Sequence, residues 1–333
     1  MSLKIAVLGG GSWGTTMGSV VSRNCPTTLW ARDEATVNEI NTSHSNSKYL
    51  KGLPLNKNLK ASSDLAETVA QADVIIMAIP CQNYRSVLMD VKDCIRPWVP
   101  IVSLSKGLEK GSCLRMTQII KEILPEHPVG VLTGPNLAKE ILKGQAAAAV
   151  LAMVDNNIAS ALQKVFGSGL FTVYTNDDVI GCELAGALKN VIAIAAGMGD
   201  GAGAGDNTRA TVITRGLAEL TRLGVALGGK APTFAGLAGM GDLLATCISP
   251  LSRNRQVGLQ LGTGKPIDQI IEEMSMVAEG VKTSGVVIQL AEKYDIDVPI
   301  ATQVYKVIQN ECTVNDAFRG LIKREIGAES EPG

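Results

Sequence analysis

Along roughly the first 178 residues, short and nearly unbroken apolar runs alternate with stretches of helical period. Runs at residues 4–8, 27–30, 74–79, 101–104 and 129–132 predict strands buried on both faces, as in a parallel sheet with crossover helices. Trp13, Met17, Val20 and Val21 mark the apolar side of a first helix, and Asp64 with Glu67 three residues on gives a carboxylate version of the capping box for another. Two further runs, 147–154 and 170–174, predict strands at the edge of the same sheet. After Asn176-Asp177-Asp178, a natural helix start, strand patterns vanish. Val212, Ile213, Leu217 and Leu220 line one helical face there, and Pro266 and Pro299 stand near helix beginnings. The expected organisation is an α/β domain over residues 1–178 followed by an all-α domain over 179–333.

Composition narrows the function. With 46% hydrophobic and 19% charged residues the chain of 333 residues is globular. Lys+Arg 31 against Asp+Glu 32 leaves a net charge of -1, which offers no field for nucleic acid or an anionic membrane surface. The apolar run near the N-terminus is too short for a signal sequence, and no run of about 18 apolar residues predicts a membrane anchor. Seven scattered cysteines without a C-x-x-C spacing exclude a disulfide framework or zinc site and point to a reducing, cytoplasmic compartment. The two histidines, His44 and His127, fall in polar or proline-flanked contexts expected of loops or surfaces, so imidazole chemistry is not anticipated. Glycine is in excess, at 35 residues. Fourteen of these lie in three stretches, at 9–14, 197–205 and 228–241, and read as three working loops.

The first stretch follows a predicted buried strand and opens a helix. Gly9-Gly10-Gly11-Ser12-Trp13-Gly14 therefore matches G-x-G-x-x-G in the context that it requires. Gly9 permits the tight turn, Gly11 lets backbone amides approach a pyrophosphate, and Gly14 lets the helix pack against the sheet. This predicts a Rossmann-type dinucleotide-binding domain. At the end of the second strand stand Arg32 and Asp33. Arg32 suits the 2′-phosphate of NADP, whereas Asp33 can face the free ribose of NAD or cap the next helix. The reading is NADP or NAD, with NADPH favoured.

A nicotinamide enzyme needs a proton donor for the oxygen that forms at the reacting carbon, and without histidine the search turns to lysine. Lys189 sits in a run that is apolar nearly all round, where desolvation can lower a lysine pKa from about 10.4 towards neutrality. A structural lysine paired with a carboxylate is the alternative, although Glu183 lies roughly 120° away round the helix. Lys106 follows the strand at 101–104, and Thr133-Gly134-Pro135-Asn136 follows the next one. Asp242 and Thr246 follow a glycine turn, and Ser252-Arg253-Asn254-Arg255 reads as an anion site in which arginine forks meet a phosphate.

Together, the glycine turn, Ser105-Lys106-Gly107, Gly134-Pro135-Asn136-Leu137-Ala138-Lys139-Glu140, Leu188-Lys189-Asn190, Gly241-Asp242-Leu243 and Ser252-Arg253-Asn254-Arg255 resemble the bacterial NAD(P)-dependent glycerol-3-phosphate dehydrogenases over nearly the whole chain. The resemblance implies interconversion of dihydroxyacetone phosphate and sn-glycerol 3-phosphate, supplying glycerophospholipid synthesis. It also implies a helical domain of the 6-phosphogluconate dehydrogenase C-terminal type and a homodimer. It casts Lys189 as proton donor or acceptor, and Lys106, Gly134, Asn136, Asp242, Thr246, Ser252, Arg253 and Asn254 as substrate contacts. Gly9, Gly11, Ser12, Trp13, Gly14, Arg32, Lys106, Ala138, Arg253, Val277 and Glu279 fall on cofactor positions. Asn136-Leu137 departs from the Ser or Thr followed by Phe of many members. Two alternatives are a reductase of keto acids, with a carboxylate in place of the phosphate, and a module that binds the nucleotide without chemistry.

Overall fold

The computed structural model describes residues 2–274 and 278–322. Contacts divide the chain into two compact units. One holds the residues up to Ser105 and Leu114–Val179, and the other holds Lys106–Cys113 and the chain from Ile180 on. The short segment after residue 105 thus groups with the helical unit and not with the sheet from which it issues, which a single cut at 178 does not anticipate.

The first unit is built on one eight-stranded sheet: β1 (Ile5–Leu8), β2 (Thr27–Trp30), β3 (Leu59–Ser62), β4 (Val74–Met77), β5 (Ile101–Ser103), β6 (Val129–Thr133), β7 (Ala147–Met153) and β8 (Phe171–Asn176). Its order is β3-β2-β1-β4-β5-β6-β7-β8. The first six strands pair in parallel, β7 runs antiparallel to β6, and β8 is parallel to β7. The unbroken apolar runs have a direct cause. Ile5, Val7, Val74 and Ile76 enter one core, while Ala6, Leu8, Ile75 and Met77 enter another on the opposite face. Each core is closed by helices: Met17 and Val20 from Ser12–Val21 on the first, and Leu88, Val91, Ile119 and Ile120 from Tyr84–Val91 and Met116–Ile123 on the second. β3 was not anticipated, because Leu-Lys-Ala-Ser carries one fully buried residue and its remaining backbone is held by pairing with β2. His127 is also not on the surface. It is 6% exposed, with Nδ1 2.8 Å from the Val99 carbonyl.

In the second unit the described elements from Val179 on are all helices, whereas its Lys106–Cys113 segment is turn and irregular chain. At its centre runs Val179–Gly201, buried without interruption from Gly181 to Gly199. It passes the length and hydropathy test for a membrane span, yet 89% of that window lies inside the protein. The glycines at 197–205 are not all loop residues. Gly197 and Gly201 face the helix Arg253–Gly262, where a Cβ at Gly197 would come within 2.1 Å of the Arg255 carbonyl and one at Gly201 within 2.1 Å of the Leu259 carbonyl. Gly258 and Gly262 answer from the other side, with Cβ distances of 2.0 Å to the Ile194 carbonyl and 2.4 Å to that of Met198. Spaced four apart on both helices, these glycines let two backbones touch. Asp200 reinforces the crossing, its carboxylate taking Arg255 Nε at 2.8 Å and Arg209 Nε at 2.8 Å.

The seven cysteines are free. Gly197→Ala should lower stability by more than about 3 kcal/mol, since the contact is backbone on both sides and cannot yield. Gly203→Ala meets no atom and strains only a positive φ of +80, so it should cost about 1 kcal/mol. Urea unfolding followed by circular dichroism checks the order, and equal midpoints for the two variants would show that the crossing tolerates a methyl group.

Candidate active site

In the sheet unit the site begins where β1 ends. Gly9 adopts φ +119, and a Cβ there would come within 2.5 Å of the Ala78 carbonyl. A Cβ on Gly14 would fall 2.0 Å from the Gly9 carbonyl, so the helix Ser12–Val21 starts hard against the strand. Gly11, by contrast, has no atom within 4 Å of a Cβ position. On that side nothing in the chain blocks a ligand from approaching. The helix has no side-chain cap and no acidic residue in its first turn, and its first ladder bond is Thr15 N to Gly11 O. Ser12, Trp13 and Gly14 therefore present N–H groups outside the ladder, at the positive end of the helix dipole. An open glycine, a positive helix end and a turn at the reversal of strand order between β1 and β4 fit a dinucleotide pyrophosphate.

At the end of β2, Asp33 caps the helix Glu34–Ser43. It accepts Ala35 N at 3.3 Å and Thr36 Oγ1 at 2.7 Å, and the Thr36 bond holds its carboxyl below the usual carboxylate range. Arg32 beside it is exposed. In the loop after β6, Gly134 has φ +127 and packs against the Ala148–Ala149 backbone, Asn136 is half-buried, and Ala138 packs on the core at the start of Ala138–Leu142.

In the helical unit, the buried helix brings Lys189 to a carboxylate that lies 53 residues further along the chain. Lys189 Nζ donates to Asp242 Oδ1 at 2.6 Å and to Thr246 Oγ1 at 2.6 Å. The other carboxylate oxygen, Oδ2, takes Lys106 Nζ at 2.8 Å. Asp242 is 2% exposed and Lys189 5%. Thr246, one turn on from Asp242 in the helix Asp242–Ile248, also donates back to the Asp242 carbonyl at 2.6 Å. An ammonium has three N–H donors, and Asp242 and Thr246 take two from Lys189. One remains for an incoming oxygen. Two ammoniums on one carboxylate leave a net positive charge, suited to an anionic substrate. Burial, reinforced by the charge of Lys189, pulls the Lys106 pKa down to about 8 against the opposing pull of Asp242.

The anion motif divides in the structure. Arg253 is exposed at the first turn of its helix and interacts electrostatically with Glu279. Ser252 caps the same helix, accepting Arg255 N at 3.3 Å. Asn254 is tied on both sides, donating to Asn190 Oδ1 at 2.9 Å and accepting Gly280 N at 3.0 Å. Arg255 is turned away to Asp200, so the expected pair of arginine forks reduces to one. Asn190, which also reaches the Lys106 carbonyl at 3.3 Å, received no role from its motif. Only the fold reveals that its amide joins three segments. Val277 lies outside the described residues.

A doubly wound sheet with a dinucleotide turn, in one chain with a helical unit that carries a buried lysine, aspartate and lysine cluster, defines a nicotinamide-dependent dehydrogenase. Residues 4–159 match the family model described as NAD-dependent glycerol-3-phosphate dehydrogenase N-terminus, and residues 178–319 match that described as its C-terminus. The chain belongs to the NAD-dependent glycerol-3-phosphate dehydrogenase family and is an NAD(P)-dependent oxidoreductase. It is 62% identical over 333 residues, the full length of both chains, to glycerol-3-phosphate dehydrogenase [NAD(P)+] 2 of Sphingopyxis alaskensis. To glycerol-3-phosphate dehydrogenase [NAD(P)+] 1 of Mycobacterium tuberculosis it is 54% identical, over 98% of this chain and 96% of that one. The crystal structure of the Coxiella burnetii glycerol-3-phosphate dehydrogenase superposes with a TM-score of 0.92 at 35% identity, covering 97% of this chain and 99% of that one. A ketopantoate reductase from Ralstonia eutropha, at 17% identity and a TM-score of 0.63 over 95% of this chain and all of that one, shares the fold alone.

Lys106 is charged below pH 8 and increasingly neutral above it, so kcat/KM for ketone reduction should fall as pH rises through about 8. Lys106→Arg, whose guanidinium keeps its charge, should lose that alkaline limb whatever its absolute rate. An unchanged limb in the arginine variant would assign the titration to another group.

Proposed function

We propose that this protein reduces dihydroxyacetone phosphate to sn-glycerol 3-phosphate, reversibly, with NADPH favoured over NADH. The observation that carries the reading is Lys189, held by Asp242 and Thr246 with one N–H to spare, in a family whose members carry that activity in their name. A bound reduced nicotinamide supplies hydride to the ketone carbon. Lys189 gives the proton to the developing alkoxide, so that ketone, hydride and proton sum to the alcohol. Asp242 aims both ammoniums, and Lys106 adds positive potential where negative charge develops. The Arg253 guanidinium, with the Ser252 hydroxyl and the Asn254 amide beside it, receives the phosphate. Gly134, Asn136 and Thr246 complete the substrate contacts, and Ala138 and Glu279 border the cofactor.

NADPH is favoured because the carboxylate of Asp33, though exposed, is engaged as a helix cap and by Lys48, while the neighbouring Arg32 is an exposed cation at the end of β2 suited to a 2′-phosphate. A cytoplasmic homodimer feeding glycerophospholipid synthesis, with neither nucleic acid nor membrane anchor, accords with the near-neutral charge and the free cysteines.

The test is oxidation of NADPH and NADH with dihydroxyacetone phosphate beside a panel of keto acids. Turnover confined to the phosphorylated ketone is expected, and preference for a keto acid would replace the reading. Lys189→Ala should lower kcat by at least a thousandfold while NADPH still binds, as equilibrium fluorescence would register. Near-normal turnover would remove Lys189 from proton transfer. Arg32→Ala should cut the ratio of kcat/KM for NADPH over NADH by about tenfold or more, and an unchanged ratio would place 2′-phosphate recognition elsewhere.

A further inference from the structure

We propose that Asn46 is the positioning residue of the dinucleotide turn. It stands 36 residues from the turn in sequence, and its side chain is fully buried. Asn46 Nδ2 donates to the Gly10 carbonyl at 3.0 Å and to Thr15 Oγ1 at 2.9 Å. Thr15 in turn donates to the same carbonyl at 3.2 Å. Two donors thus converge on one peptide oxygen in the middle of the glycine motif.

That oxygen is the lever. The peptide between Gly10 and Gly11 is planar and trans, so its N–H points opposite to its C=O. Pinning the Gly10 carbonyl therefore aims the Gly11 N–H away from Asn46. Glycine by itself cannot hold that aim, because its backbone is the least restricted of all residues. The space that a Cβ on Gly11 would fill is also open, so a ligand can come close to the chain on that side. Asn46 supplies from outside the motif the rigidity that the three glycines lack.

The segment carrying Asn46 is built to stay in place. His44 turns the chain with φ +49, and its carbonyl accepts Leu55 N at 2.8 Å. Glu39 grips both neighbours of Asn46, accepting Ser45 Oγ at 2.8 Å, Ser47 N at 2.8 Å and Ser47 Oγ at 3.0 Å. The Asn46 carbonyl accepts Leu50 N at 2.8 Å at the start of Ser47–Leu50. Asn46 Oδ1, buried, meets no donor among the described residues. A loop built only for stability would replace such an amide with an apolar side chain, and the donor pair to Gly10 and Thr15 is what retains it.

The inference rests on dinucleotide binding by this turn and not on the identity of the second substrate, so equilibrium titration with NADPH and with NADH tests it independently of turnover. Asn46→Ala should weaken both cofactors about tenfold and equally, because the pyrophosphate is common to them. KM for the ketone substrate, and kcat at saturating cofactor, should stay within about twofold of wild type. Thr15→Val, which keeps the volume and removes the bridging hydroxyl, should weaken both cofactors severalfold in the same pattern. The double variant should lose less than the product of the two single losses. Unchanged cofactor affinity in folded Asn46→Ala, or equal losses in kcat and in both KM values, would overturn the proposal. Should Asn46→Ala fail to fold, Thr15→Val decides: wild-type cofactor affinity in that variant also overturns it.

Discussion

One buried carboxylate, that of Asp242, holds together the charged cluster of the helical unit. Asp242 receives Lys189 on one oxygen and Lys106 on the other. Lys189 could not be buried at reasonable cost without it, since an unpaired ammonium taken out of water is among the most expensive groups in a protein interior. The carboxylate does not cancel both charges, and the positive remainder suits an anionic ligand. It also explains why Lys106 belongs with the helical unit. The ion pair binds its segment to Asp242, while the amide chain from Asn190 through Asn254 to Gly280 draws the same segment together with the ends of two further helices.

Glycine serves two different purposes here, and the difference is one of packing. At Gly9 and Gly11 it supplies a backbone conformation and an open approach. At Gly197, Gly201, Gly258 and Gly262 it supplies nothing but absence of bulk, which allows the lysine helix and the Arg253–Gly262 helix to meet backbone to backbone. That contact fixes the depth at which Arg253 and Asn254 emerge beside Lys189's helix, and the Asp200 carboxylate gripping Arg255 secures it. Composition registers both kinds as a single excess.

Much of the molecule was legible because local pattern and burial agree. The parallel strands were legible, since residues buried on both faces must be apolar without interruption, and the glycine turn was legible as a tight strand-to-helix turn, because Gly9 takes a positive φ and Gly14 leaves no room for a side chain. Asp33 stayed ambiguous between ribose and helix cap, and the structure shows it capping through Thr36 and Ala35 with its carboxylate still exposed. β3 escaped notice because its stability comes from pairing and not from apolar content. His127 looked like a surface residue, although its ring finds a backbone carbonyl in the interior.

The sequence by itself determined the class of each unit, the tight strand-to-helix glycine turn and the burial of Lys189, because hydrophobic periodicity and short motifs act over distances that a chain segment spans alone. Only the tertiary structure decided which partners those residues have. Asp242 reaches Lys189 across 53 residues, Asn46 reaches Gly10 across 36, and Arg255 turns to Asp200 across 55. Ion pairs and hydrogen bonds act within a few ångströms in space, and no local pattern specifies which distant segment the fold will bring there.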